Sequence, residues 1–247
     1  MKYTTSIVIL CVVVVGTCNA STAPCSLVDF DQSGTVDADD LSAYLACYFG
    51  QPCAAADVDG NSVVDADDLA EFIGAYFDAA ENGCADSLGP VAPSAANDGG
   101  GTAAFTSPSA ALALDGIGAS CSLVSSAGSG GLVLSGFSLD VPDSATAVTL
   151  TLRIVGRSST HAGSVAVELV DAAETRALVF TASAMPFGSG FTEAVMTADL
   201  SAGTLSVADL RGAGTKIVVL WFSDGAGPIT DTLSIDAATL TADFVRH

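Results

Sequence analysis

Two acidic stretches, starting 28 residues apart, set oxygen-bearing side chains at alternating positions. Counted from Asp29, positions 1, 3 and 5 are Asp29, Asp31 and Ser33; position 6 is Gly34, 7 is Thr35, 9 is Asp37 and 12 is Asp40. Counted from Asp57, the same places hold Asp57, Asp59, Asn61, Ser62, Val63, Asp65 and Asp68. Calcium is a hard cation that takes six to eight oxygens, and a twelve-residue loop supplies them from just these places, with a backbone carbonyl at 7 and a bidentate carboxylate at 12. The pattern predicts two Ca2+ ions. Asp29, Asp31, Ser33, Asp37, Asp40 and the Thr35 carbonyl would ligate the first; Asp57, Asp59, Asn61, Asp65, Asp68 and the Val63 carbonyl the second. Each loop departs from the pattern once. Ser33 is a weaker ligand than Asp, and Ser62 replaces the glycine that the sharp turn favours, at a cost of about 1 kcal/mol for a left-handed residue bearing a Cβ. The first loop is therefore expected to be the better one. Asp39 and Asp67 carry acid at the start of a helix, where the helix dipole favours it.

The elements that must hold these loops repeat with them. Val36-Asp37-Ala38-Asp39-Asp40-Leu41 matches Val64-Asp65-Ala66-Asp67-Asp68-Leu69, and Cys25 falls on Cys53. Beyond each loop the apolar residues take helical spacing: Leu41, Tyr44, Leu45, Tyr48 and Phe49, then Leu69, Phe72, Ile73, Tyr76 and Phe77. Two helices of about three turns are predicted, packed stripe to stripe, ending at Gly50-Gln51-Pro52 and at Asn82-Gly83. Residues 89–103, with Gly89-Pro90, Pro93 and Asn97-Asp98-Gly99-Gly100-Gly101, read as a linker. Residues 104–247 read as an all-β antiparallel sandwich, with strands expected at Gly131–Val141, Ala147–Gly156, Ser164–Val170, Phe191–Leu200, Lys216–Phe222 and Thr232–Phe244. The expected fold is multidomain: a small α pair of loop–helix units over residues 21–88, the linker, then the sandwich.

Lys2, the nine apolar residues Ile7 to Val15 and the small-residue exit to Ala20 predict a secretory signal peptide over residues 1–20. Val15-Gly16-Thr17 is a poor lead-in to lipidation at Cys18. No later apolar run approaches membrane-spanning length, so no membrane insertion is expected once the signal is removed. The net charge is −21; residues 21–88 alone hold fourteen acids and no Lys or Arg. Such a surface repels phosphate backbones and anionic lipid, which excludes nucleic acid as a partner. Export permits disulfides, and four of the five cysteines after Ala20 lie in the acidic segment, with Cys121 left over.

Residues 25–84 resemble the dockerin family: two loop–helix repeats, Asp40 and Asp68 where an ordinary EF-hand has Glu, the following Leu41 and Leu69, and apolar Phe30 and Val58 at position 2. They look most like the type I-like, Cys-containing variants found in planctomycetes. The resemblance implies a calcium-folded module that attaches to a cohesin-like or other cell-surface protein receptor through loop positions 10 and 11. Those positions are Ala38, Asp39, Ala66 and Asp67 here, an identical pair in each half that would allow binding in either of two orientations. The family's usual Ser-Thr pair and basic helix residues are missing. The pseudo-twofold pairing implied by the resemblance brings Cys25 to Cys84, clasping the module's ends, and Cys47 to Cys53 at the turn between helices; four cysteines permit three pairings in all.

The C-terminal region resembles an uncharacterised secreted bacterial jelly-roll domain in Phe105-Thr106-Ser107-Pro108, in Leu134-Ser135-Gly136-Phe137-Ser138-Leu139-Asp140-Val141-Pro142 and in Ser234-Ile235-Asp236-Ala237-Ala238. No activity follows from that likeness. The only histidines are His161 and His247, and Gly136-Phe137-Ser138-Leu139-Asp140 lacks the second glycine of a nucleophile elbow. Glu168, Asp171 and Glu174 read as a solvated turn rather than a glycosidase pair. Trp221, in an apolar run, reads as core before sugar platform. The expectation is a non-enzymatic, extracellular calcium-binding adaptor or surface-structural protein. The alternatives are a polysaccharide-binding sandwich or the self-assembling subunit of a filament.

Overall fold

A computed structural model describes residues 23–50, 53–123, 129–159, 164–175, 177–181, 187–211, 214–222 and 231–246. The expected signal peptide, His161 and His247 lie outside them. The described residues open with a single helical turn, α1 (Cys25–Val28), followed by α2 (Ala38–Phe49) and α3 (Ala66–Asn82). Ten strands follow among the described residues: β1 (Cys84–Val91), β2 (Ala95–Gly101), β3 (Ala119–Leu123), β4 (Ser129–Ser135), β5 (Thr146–Ser158), β6 (Ser164–Val170), β7 (Ala177–Thr181), β8 (Thr192–Asp199), β9 (Lys216–Phe222) and β10 (Asp231–Arg246). A short α4 (Val207–Leu210) precedes β9.

The strands form two five-stranded antiparallel sheets, one ordered β1-β10-β5-β8 with β3 also on β10, the other β2-β4-β9-β6-β7. From β1 to β6 the chain alternates between sheets, giving a jelly-roll-like sandwich. Period-two alternation supplies the shared core: Val148, Leu150, Leu152 and Ile154 of β5 are buried, and so are Ile217, Val219 and Trp221 of β9. Burial of such side chains stabilises by about 25 cal/mol per Å2 of apolar surface removed from water.

The segment expected as a linker is part of the sandwich instead. Residues 89–103 hold the end of β1 and the whole of β2, which pair with β10 and β4. β2 shows no alternation because it consists only of Ala, Asn, Asp and Gly. It pairs because its backbone lies very close to β4: a Cβ on Gly99 would stand 3.0 Å from the Gly131 carbonyl carbon. Small residues that resemble a linker are what this contact requires. The boundary at residue 88 shifts with it, since the sandwich begins at Cys84. The strand expected to reach Val141 ends at Ser135, where Gly136 turns with φ 79°.

Cys121 on β3 is a free thiol, 1% exposed, packed against Gly130. Burial, then the Asp98 carboxylate, pushes its pKa up to about 11. Ellman's reagent is expected to find no reactive thiol in the native protein and one per mature chain after denaturation; fast native reaction would place Cys121 at the surface.

Candidate metal centre

Both helices start in the same way. Asp37 and Asp65 are N-caps in extended backbone and accept from the N–H of Asp39 and Asp67 at 2.8 and 2.9 Å. Asp40 and Asp68, three residues on, reach back to the N-cap N–H of Asp37 and Asp65, each at 2.8 Å, completing a capping box. Gly83, with φ 78°, ends α3 by donating to the Ala79 carbonyl.

Those two capping carboxylates are also the floor of the loops. Asp40 and Asp68 are fully buried. Asp68 Oδ1 accepts from the N–H of Val58 at 2.7 Å and of Asp59 at 3.2 Å; Asp40 Oδ1 accepts from Asp31 N–H at 3.1 Å. These donors, the Asp65 N–H foremost, hold the Asp68 carboxyl below its ordinary value of 3.8 against the opposing effect of burial. At position 1, Asp29 accepts from Gly34 N–H at 3.0 Å and Asp57 from Ser62 N–H at 2.8 Å. The chain turns left-handed at positions 4 and 6 of both loops, with φ of 60° at Gln32, 92° at Gly34, 73° at Gly60 and 72° at Ser62.

Positions 1, 3 and 12 converge. Carboxylate oxygens of Asp29, Asp31 and Asp40 lie within 4.8 Å of one another, as do those of Asp57, Asp59 and Asp68. Oxygens sharing one calcium at about 2.4 Å stand at most about 4.8 Å apart, so each triplet fits a single ion. Oδ1 of Asp57 is buried without a hydrogen-bond partner, an orphaned acceptor that a cation would satisfy. The remaining expected ligands line the same loops. Ser33 Oγ lies 3.3 Å from the Thr35 carbonyl, and Asn61 Oδ1 accepts from Val63 N–H at 2.7 Å. Asp37 and Asp65 stand outside the close triplets, each spending an oxygen on its helix cap. Ala38, Asp39, Ala66 and Asp67 are exposed at the first turns.

Ser62 occupies the left-handed position without a glycine. Ser62→Gly is expected to stabilise the second loop by up to about 1 kcal/mol, the relief of the Cβ clash being partly offset by a freer unfolded chain. Thermal melts of the calcium-free protein measure this, and a lowered Tm would show the left-handed serine to be unstrained.

The helices meet at a stacked pair, Tyr44 on Phe72, with ring centroids 3.8 Å apart and planes 2° from parallel; Phe30 lies edge-on to both. Burial, then the Asp68 carboxylate, pushes the Tyr44 hydroxyl up to about 12. The stripes end short of expectation. Phe49 and Phe77 are 73% and 61% exposed, because the contact centres on Tyr44 and Phe72 and both residues lie beyond it. Disulfides join Cys25 to Cys84 and Cys47 to Cys53. The first also ties α1 to the start of β1, beside a bridge between Pro24 and Ala85.

One residue beside the first loop comes from the far end of the chain. Arg246, at the end of β10, donates from Nη2 to Asp29 Oδ2 at 2.9 Å. Its only sequence signal is its rarity, as one of seven cations in a chain of net charge −21.

Elsewhere, Trp221 has no exposed surface, so it cannot stack on a sugar. Glu174 pairs with Lys216 at 2.7 Å, and Asp171 accepts from Thr175 N–H at 2.7 Å within one turn, while Glu168 lies on β6. Among the described residues no helix is long and apolar enough to cross a membrane.

Fold and site together define a β-sandwich that carries a disulfide-tied pair of acidic loop–helix units. No protein-family model matches the chain, and no curated protein matches it. Similar solved structures include CBM4 (18% identity, 56% of this chain, 90% of that one, TM-score 0.36) and the xylan-binding module CBM15 (12%, 67%, 99%, 0.35). A third is CBM35 from Cellvibrio japonicus Abf62 (12%, 66%, 99%, 0.29). At these scores the similarity carries no argument about ligand.

Proposed function

We propose that this is an exported, non-enzymatic calcium-binding attachment protein. Its paired loops hold two Ca2+ ions, and its helical unit, similar to a dockerin, docks on a cohesin-like or other cell-surface protein receptor. The observation that carries this reading is the repeated triplet of carboxylates at positions 1, 3 and 12, each with its twelfth-position acid buried beneath the loop. Calcium would neutralise the converging acids and lock the helix starts, so attachment would require it. Asp39 and Asp67 would present two equivalent acidic corners to a basic receptor face. The test uses labelled mature protein and the surface of the cells that secrete it. Saturable binding that chelator abolishes, and that an Ala38→Arg/Ala66→Arg double variant loses with its calcium uptake intact, supports the reading. Binding indifferent to chelator and to the variant would overturn it.

A second reading gives the sandwich a polysaccharide ligand. Phe222, 42% exposed at the end of β9, is the ring in its favour. Affinity electrophoresis in soluble polysaccharide gels would show retardation that Phe222→Ala removes; unretarded wild-type protein would dismiss it.

A further inference from the structure

The two loops are built alike but are not surrounded alike, and the difference comes from the far end of the chain. In the second loop, Asp57 has one oxygen on the Ser62 N–H and the other buried and unpartnered. In the first, the equivalent Asp29 already faces a cation. The Arg246 guanidinium lies 2.9 Å from its Oδ2 and also lies 3.9 Å from Asp86 on β1. Both members of the Arg246–Asp29 pair are largely buried, with side chains 15% and 9% exposed. Gly34, the turning residue of that loop, faces Nη1 at 3.9 Å from where a Cβ would stand.

We propose that Arg246 acts as an internal cation that weakens calcium binding in the first loop, leaving the second as the tight site. The inference rests on the calcium reading above and reverses the order that Gly34 and Ser62 alone suggest. A guanidinium on Asp29 cancels one of the negative charges that would draw the ion and repels the ion once bound, and the pair's burial limits solvent screening. Arg246 touches the ligand, not the metal, so it is a positioning residue. The coupling is reciprocal: calcium in the first loop loosens the hold of Arg246 on Asp29, and with it the last residues of β10.

The test is calorimetric calcium titration of the mature chain with both disulfides intact. Wild type is expected to show one tight and one weak site, Asp57→Asn to lose the tight one and Asp29→Asn the weak one. Arg246→Gln is expected to tighten the weak site roughly fivefold or more and leave the tight site unchanged. Arg246→Lys, which keeps the charge, should leave the weak site weak. Hydrogen exchange at Val245 and Arg246 should quicken as the weak site fills. Loss of the tight site in Asp29→Asn overturns the proposal, as does a weak site that Arg246→Gln leaves unchanged or weakens further. Should Arg246→Gln fail to fold, the order of sites in Asp29→Asn and Asp57→Asn still decides. Wild type binding no calcium at millimolar concentration would overturn the calcium reading itself, a result distinct from two equal sites, which would overturn only this inference.

Discussion

Phe72→Ala is expected to destabilise the helical unit by about 3–5 kcal/mol, the range for truncating a fully buried aromatic. Phe72 has no exposed surface, and the fully buried core between the helices consists of Tyr44, Ala56 and Phe72. Removing one of three takes from Tyr44 the ring stacked 3.8 Å away, leaving only the more distant Tyr48 at 6.0 Å, and takes from Phe30 one of its edge contacts. The sandwich core is a separate cluster, so two melting transitions are expected where wild type shows closer ones, with the helical signal lost first. Calcium uptake should fall with it, because the loops are held by the helix starts. A single unshifted transition would mean that the disulfides, and not the aromatic stack, hold the unit together.

Asp68→Ala should abolish calcium binding in the second loop, lowering affinity by more than the roughly hundredfold typical of losing an outer-shell partner, since the carboxylate is itself the expected ligand. It also strips acceptors from the N–H groups of Val58, Asp59 and Asp65, which leaves the loop's turn and the helix cap open together. Asp68→Asn keeps the shape and separates charge from packing. The pH dependence has a definite sign. A carboxyl held below 3.8 in the folded state contributes stability that is fully present above 3.8 and is lost as pH falls through the lower folded value. Acid unfolding of the calcium-free helical unit is therefore expected below pH 3.8, and titration of the Asp68 carboxyl above that value by NMR would contradict the hydrogen-bond assignment.

Much of this was legible because the repeat is strict and its chemistry local. Alternate oxygens, a turning residue at position 6 and an acid at position 12 can be counted along twelve residues, and the i, i+3, i+4 spacing of Leu41, Tyr44 and Leu45 marks the helix that follows. Strand β5 announced itself through Val148, Leu150, Leu152 and Ile154. What stayed hidden depends on distant partners. β2 has no large apolar side chain to show a period, and its identity lies in the fit of Gly99 against Gly131 on β4. The exposure of Phe49 and Phe77 follows from where the two helices touch, which spacing within one helix does not set. The Arg246–Asp29 pair joins residues 217 apart, across the whole sandwich sequence.

Equilibrium dialysis of the disulfide-intact mature chain shows whether the two acidic loops are calcium sites. The whole chain is needed, because a fragment ending at residue 88 would cut β1 in two. Two ions bound per wild-type chain, and none by an Asp40→Ala/Asp68→Ala double variant whose sandwich still melts cooperatively, is the predicted result. No ion bound at millimolar calcium, or uptake that the double variant leaves intact, would contradict it.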